Sequence, residues 1–597
     1  MMRHATLGVL AVMLTACTTL TGEIPAPVSG QGRNTFHAGA ARMDITPHPG
    51  FPMGGHAILG KTGRGYWTRL YSRAIYLEDT DGRALVLVSC ELWSIPAGLG
   101  DRVAEILAGF PETRHLGRGS LLLAATHTHQ SPGNFSTCKA YNNHASPRPR
   151  FDARLFEFLA HRIARSILEA RRTSVPATIH LEQETLGGVM RNRSLAAFLR
   201  NPESRTLMAR NGALPVQEPP PGYPDKRVYL AVDARLRVLR IERDDATGGT
   251  IGVAAFLATH PTVFGPDLEV YGGDIFGVAA IHAEAELGKK AGGVPPVVAL
   301  FNGAEGDISP NWFQRNRREV VDLGKKIGAA IAAPAPRTRP VAGAIQVSYG
   351  VRKLAGRQFK EEGQSGQPAR KRRTDTLAIP GVATFGGAED GRTLFHDLGW
   401  VEHVTGVRTE RQGAKHPVLD PRFTPTKLPI TRLIARFEGF PDRVSLGVYR
   451  LGPLVLATLP GEFTVTMGHR MARALARATG VKDKLVILVG LAQSYLSYFT
   501  TPEEYEAQAY EGASTLYGPA SADLACRELC ALAAAPRPPK RRCKPTLDQL
   551  PLTQMIDFPT IHEADVPCFG TLERALAFLA EEKYAGKVYP GALPKIK

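Results

Sequence analysis

The chain has 597 residues, of which 43% are hydrophobic and 22% charged, and a formal net charge of +17 at pH 7. Such a length buries at least one large core, and the composition excludes an intrinsically disordered chain and a polytopic membrane protein. The basic surplus is spread thinly, and its two short clusters, Arg370 to Arg373 and Lys540 to Arg542, sit in Pro-, Gly- and Gln-rich surroundings. They read as solvated loops, so nucleic acid is not an expected partner and an anionic membrane surface is.

The N-terminus carries Arg3 and His4, an apolar run from Leu7 to Leu14, and then Leu14-Thr15-Ala16-Cys17. This is the pattern of a signal peptide over residues 1–17, too short to span a bilayer. A Cys after two small residues resembles the bacterial lipobox, which makes Cys17 the expected site of lipidation. Thr18 in place of Asp implies outer-membrane or periplasmic sorting. Residues 18–38 read as a flexible leader.

From Gly39 onward, short apolar runs alternate with longer helical patterns, the signature of an α/β fold of mixed α+β layers. Ala74 to Leu77 and Ala84 to Val88 are strand-like, while Leu155, Leu159, Ile163 and Ile167 mark one face of a helix between Asp152 and Arg171. The Pro-rich stretch from Pro215 to Pro224 and the Gly/Gln/Arg-rich stretch from Gly356 to Thr374 read as long surface loops. No internal repeat is visible. Near the end stand Cys526, Cys530, Cys543 and Cys568, four of the seven cysteines. In an oxidising compartment they are expected to form disulfides, because a zinc knuckle would need paired C-x-x-C spacing.

Five apolar runs end in polar residues that a plain strand end does not need. Leu121 to Ala125 leads to His127 and His129, and Val253 to Ala258 leads to His260. Val297 to Phe301 leads to Asn302, Glu305, Asp307 and Ser309, Leu454 to Thr458 leads to Glu462, and Leu485 to Val489 leads to Tyr495 and Tyr498. Buried strands of one sheet would deliver these groups to a common edge. At i and i+2 on an extended segment, His127 and His129 would face the same side. With His260 and Glu462 they suggest a His/His/Glu zinc site, since catalytic zinc takes three protein ligands and keeps a position for water.

Six blocks then occur in a recognisable order: Ala125-Thr-His-Thr-His129; Asn192-Arg-Ser194 with Leu199-Arg-Asn-Pro202; Ala258-Thr-His260; Gly306-Asp-Ile-Ser-Pro-Asn311; Pro460-Gly-Glu-Phe-Thr464; and Tyr498 through Tyr505 to Tyr510-Glu-Gly-Ala-Ser-Thr515. From about Gly39 to Pro519 the chain resembles the neutral/alkaline ceramidase family. The resemblance implies one zinc ion held by His127, His260, Glu462 and Tyr498. It implies that His129, Arg193 and Tyr510 meet the scissile amide or the substrate's polar head, with Asp307 near the substrate. Ser309 matches a serine once considered the nucleophile, but Pro310 removes a backbone N–H where an oxyanion donor would lie, and no nucleophile elbow is present.

The implied reaction is hydrolysis of the N-acyl amide of ceramide to a fatty acid and a sphingoid base, which can also run in reverse. An amidase acting on another N-acyl lipid and a non-catalytic lipid-binding surface protein are the alternatives. Family members carry an immunoglobulin-like β-domain after the catalytic part, so residues 39–520 are expected to form the catalytic domain and residues 521–597 a short appendage in place of that domain.

Overall fold

The computed structural model describes residues 36–534 apart from 150, 215–224, 245–247, 291–294, 334–339, 362–369, 402 and 418–438. The expected signal peptide and Cys17, the leader up to residue 35, the Pro215 to Pro224 stretch, the Lys540 to Arg542 cluster, Cys543 and Cys568 lie outside the described residues.

The large sheet contains β1 (Phe36–Asp44), β2 (Tyr71–Glu78), β3 (Ala84–Cys90), β4 (Leu121–Ala125), β5 (Val175–Thr185), β6 (Arg235–Arg243), β7 (Thr250–Phe256) and β8 (Val297–Phe301), in the order β8-β7-β6-β5-β1-β2-β3-β4. The short strand Pro340–Val341 adds to β5. A second sheet runs β9 (Ile345–Lys353), β10 (Arg443–Leu451), β11 (Leu454–Thr458) and β12 (Val486–Val489). Six longer helices accompany the sheets: α1 (Ala97–Ala108), α2 (Ala153–Arg172), α3 (Asp274–Lys290), α4 (Arg317–Ala332), α5 (Val465–Thr479) and α6 (Ser521–Ala534).

The period of two along a strand decides what each residue meets. In β2 to β4, Ala74, Tyr76, Val86, Val88, Leu121 and Leu123 pack on α1 and α2. Their neighbours Ile75, Leu77, Leu85, Leu87, Leu122 and Ala124 pack on Tyr449, Leu451, Leu456 and Ile487 of the second sheet. Helices α3 and α4 cover the other half of the large sheet, and α5 and α6 cover the outer face of the small one. The result is four layers, helix/sheet/sheet/helix. The predicted fold class holds, while the single sheet expected to gather all five strand ends is in fact two sheets. Because β3, β4 and β11 are apolar on both faces, nothing in their sequences says which sheet they join.

Local signals set the boundaries. The predicted helix is α2, whose first N–H groups on Arg154 and Leu155 donate to the Asp152 carboxylate at 3.1 Å. Helix α4 opens with a capping box between Asn316 and Glu319, and α5 stops at Gly480, which adopts φ +72°. Strand β1 begins at Phe36, inside the stretch read as leader. The stretch read as a loop from Gly356 to Thr374 contains paired antiparallel strands, Gln358–Glu361 and Arg370–Arg373. Helix α6 places Leu524, Ala525 and Leu529 in the core, so the first residues after 520 pack against the sheet that precedes them. Cys526 and Cys530, both on α6, are free thiols and not the disulfide partners expected of them.

A repeat invisible in the sequence is plain in the topology. Strands β1, β2 and β3 pair antiparallel in succession, α1 crosses over, β4 adds parallel to β3, and α2 follows. The same strand-strand-strand-helix-strand-helix path recurs through β5, β6, β7, α3, β8 and α4, and again through β9, β10, β11, α5, β12 and α6. Pairing of β1 with β5 joins the first two units into the large sheet. Among the described residues no helix is long and apolar enough to cross a membrane.

Candidate active site

The strand ends of the three units are tied together directly. Asn302, just beyond β8, donates through Nδ2 to the carbonyls of Thr126 and Thr259 and accepts the Thr259 N–H through Oδ1. The Ala125 N–H donates to the Leu491 carbonyl, which joins β4 to the chain leaving β12. These bonds bring the ends of β4, β7, β8 and β12 together across the two sheets, and β11 lies beside β12 as its parallel partner.

His127 sits two residues beyond β4 with φ 78°, a left-handed conformation uncommon for a side-chain-bearing residue. The pair His127/His129 is therefore not on an extended segment, and a turn rather than strand alternation aims both rings at the site. The His127 Nδ1 lies 2.5 Å from the Trp93 carbonyl. A carbonyl only accepts, so this nitrogen carries the proton and Nε2 keeps its electron pair. His260 repeats the arrangement, with Nδ1 2.9 Å from the Ile308 carbonyl. Glu462 and Tyr498 are register partners on the parallel strands Glu462–Phe463 and Tyr498–Phe499.

Glu462 Oε2 lies 3.1 Å from His260 Nε2 and 3.5 Å from His127 Nε2. Its other oxygen accepts a 2.5 Å hydrogen bond from the Tyr495 hydroxyl. All three residues are at most 2% exposed. Burial works against the Glu462 charge, but the two histidines outweigh it and hold the carboxyl well below the usual range. Burial, followed by the Arg193 charge, lowers the pKa of His260. Two imidazole Nε2 atoms and a carboxylate oxygen thus face one another. Tetrahedral ligands on zinc, at bond lengths of about 2.0–2.2 Å, stand roughly 3.3 Å apart, which these separations match. The donor set fits a divalent metal.

Around this group the remaining predicted residues divide. Arg193 donates through Nη2 to the Tyr498 hydroxyl at 3.0 Å and to the Gly306 carbonyl at 2.7 Å, and through Nε to Glu511 at 2.9 Å. Its guanidinium also lies over the rings of Tyr498 and Tyr510, which meet edge to face at 5.3 Å. Burial and the Glu462 charge push both phenols upward, so both are protonated at neutral pH. His129 Nε2 lies 3.4 Å from His127 Nε2. Its ring packs on the backbone at Gly55, where φ is +110° and a Cβ would come within 2.4 Å of the imidazole.

Among the described residues the Asp307 and Ser309 side chains make no hydrogen bond to this cluster, although the Asp307 carbonyl accepts the Arg193 N–H at 2.9 Å. Asp307 accepts from Asn192 Nδ2 at 2.7 Å and from the Val465 N–H at 2.8 Å, which clamps the chain before α5. Ser309 lies fully buried on the short strand Ile308–Pro310, and its hydroxyl has no hydrogen-bond partner among the described residues. Among the described residues no base hydrogen-bonds it for activation.

Besides Asn302, two residues named at strand ends carried no role in the sequence. Tyr495 is the hydrogen-bond support of Glu462. Glu305 is fully buried with neither carboxylate oxygen hydrogen-bonded among the described residues, and burial, then the Glu462 charge, pushes its pKa well above the usual range. Position after an apolar run is the only signal that either residue carries in the sequence.

A buried His/His/Glu group edged by phenols and a guanidinium defines a mixed α/β protein with a candidate metal centre. The chain belongs to the neutral/alkaline non-lysosomal ceramidase family: the family's N-terminal profile matches residues 36–324 and 323–526. It is 28% identical over 536 residues to the neutral ceramidase of Pseudomonas aeruginosa, covering 85% of this chain and 72% of that protein. It is 29% identical over 495 residues to the neutral ceramidase of Mycobacterium tuberculosis, covering 78% and 70%. The crystal structure of the Pseudomonas aeruginosa enzyme superposes with a TM-score of 0.66 at 27% identity, covering 84% of this chain and 74% of that one. A ceramidase complexed with C2 superposes with a TM-score of 0.68 at 27% identity, covering 84% and 75%. Membership in this family supports ceramide hydrolysis and a sphingolipid substrate.

Proposed function

We propose that the protein is a zinc-dependent amidohydrolase that cleaves the N-acyl bond of ceramide to a fatty acid and a sphingoid base. The observation that carries the metal assignment is the convergence of the His127, His260 and Glu462 electron pairs while both Nδ1 protons are tied to backbone carbonyls. Tyr498, opposite Glu462 in register, is the fourth ligand of this reading. Zinc held there supplies Lewis acidity, which polarises an amide carbonyl and acidifies water.

The chain's own groups do the rest. Amide attack builds negative charge on the carbonyl oxygen, and in this reading the Tyr510 hydroxyl and His129 are the donors that meet it, each such donor being worth roughly 3 kcal/mol in known oxyanion holes. Arg193 is a positioning residue, holding both tyrosine rings. Burial of the whole cluster excludes bulk water and strengthens these interactions. The test is ceramide hydrolysis by protein stripped with a chelator and reloaded with zinc. Recovery of turnover with one equivalent supports the reading, and undiminished turnover in the stripped protein refutes it.

We further propose that the protein works outside the cytoplasm, anchored to a membrane surface through a lipidated Cys17. The support is the sequence pattern Leu14-Thr-Ala-Cys17 and the +17 charge, which favours anionic headgroups. Cys17→Ala should release the protein from membrane fractions without loss of specific activity on detergent-dispersed substrate. Unchanged membrane association of that variant would remove the anchor.

A further inference from the structure

A second group of ligand-type side chains adjoins the first. His56 follows the short strand Met53–Gly54, His129 follows β4, and Asp390 precedes the short helix Leu394–Asp397. One ligand atom from each lies within 4.8 Å of the other two. The three residues are 7%, 8% and 4% exposed. His129 Nδ1 stands 3.4 Å from His56 Nδ1, with the rings edge to face at 4.6 Å. That separation is what two nitrogens on one tetrahedral ion with bonds of about 2.0–2.1 Å require.

The carboxylate supplies the independent argument. Asp390 Oδ2 is buried and has no hydrogen-bond partner among the described residues. The Arg193 Nη1 is 3.9 Å from Oδ1, beyond hydrogen-bonding distance. Burial opposes the Asp390 charge, and the nearby Arg193 guanidinium favours it. A buried carboxylate with an oxygen that lacks a hydrogen bond, beside two imidazole nitrogens, is a ligand set that a bound cation would complete.

We propose that His56, His129 and Asp390 hold a second divalent metal ion beside the His127/His260/Glu462 centre. Two imidazoles and one carboxylate suit zinc or a similar borderline cation better than calcium or magnesium, which prefer oxygen ligands throughout. Coordination also fixes a tautomer. A neutral His129 bound through Nδ1 carries its proton on Nε2, the nitrogen that lies 3.4 Å from His127 Nε2. It then donates toward the first centre and has no electron pair there to act as a base. This last step rests on the proposed function; the metal site itself does not.

The test is metal stoichiometry on the purified full chain, stripped with a chelator and titrated with zinc alone, read by calorimetry and elemental analysis. The expected result is two equivalents for the wild type, one for His56→Ala and for Asp390→Asn, one for His260→Ala, and none for the His56→Ala/His260→Ala double variant. Circular dichroism checks that each variant is folded. Wild-type saturation at one equivalent that His260→Ala removes would overturn the second site and leave the first standing. Retention of two equivalents in both His56→Ala and Asp390→Asn would overturn it as well. The wild-type count decides the matter even if a variant fails to fold.

Discussion

Replacing Tyr495 with Phe removes one oxygen from the support of Glu462 and leaves the ring's packing in place, against Trp93 at 5.4 Å and Tyr141 at 4.9 Å. The lost bond is a 2.5 Å donation to an ionised, buried carboxylate. Hydrogen bonds to charged groups contribute about 1.5–3 kcal/mol, and at about 1.4 kcal/mol per tenfold this corresponds to roughly 10- to 100-fold in metal affinity. Competition with a chromophoric chelator measures the Kd directly. Tyr141→Phe is the control, because that ring packs in the same aromatic cluster and its hydroxyl makes no bond to Glu462. A Tyr495→Phe affinity within about twofold of wild type, below the range typical for ligand-supporting groups, would show that Glu462 is not a metal ligand or that the phenol does not orient it.

His127→Ala, His260→Ala and Glu462→Ala should each lose first-site metal and nearly all turnover while keeping the far-ultraviolet circular dichroism of the wild type, since the cores lie in the layers and not at the strand ends; full metal and full turnover in any of the three would refute the ligand set. Tyr510→Phe should keep its metal and lower turnover by about 10²-fold or more, as expected for one lost oxyanion donor, whereas Tyr498→Phe should weaken metal binding; elemental analysis and turnover on a short-chain fluorescent ceramide would reveal the roles swapped. Burial pushes the Cys90 thiol up to about 12, so at pH 8 only about one molecule in 10⁴ carries the reactive thiolate. Iodoacetamide should leave Cys90 unmodified in the native protein, and labelling at the rate of a urea-unfolded control would contradict the burial.

Much of the scaffold is legible in the sequence because its strands are apolar on both faces and its polar residues begin where strands stop. Leu121–Ala125, Val297–Phe301 and Leu454–Thr458 begin and end where the apolar runs do. The four-residue spacing of Leu155, Leu159, Ile163 and Ile167 locates α2. Position at strand ends also singled out His127, His260 and Glu462. Sheet membership was not legible, because a strand buried on both sides has no face that specifies its neighbour. The threefold topology escaped for a related reason: it is conserved as a path of the chain and not as recurring residues. Tyr498 entered the ligand set only through family resemblance. His56 and Asp390 stand in irregular segments, where no periodicity marks a residue and only tertiary structure brings it to His129.

The three repeated units divide the first centre among themselves. His127 belongs to the first, His260 to the second and Glu462 to the third, the last two each four residues beyond the third strand of their unit. No unit alone contains a centre, and a chain emerging from the ribosome lacks its carboxylate ligand until most of its length has been made. If the centre binds its ion as proposed, the complete ligand set is available only after the third unit has been made. On that reading the bound ion joins three segments of the chain that Asn302, Asp307, Arg193 and backbone hydrogen bonds also tie together at this edge, and its binding energy adds to the cohesion of the whole by RT ln(1 + [L]/Kd). Metal depletion should accordingly loosen the junction between units before it disturbs any single one, with amide exchange rising first at Thr126, Thr259 and Leu491 and last in the middle of β3 and β11.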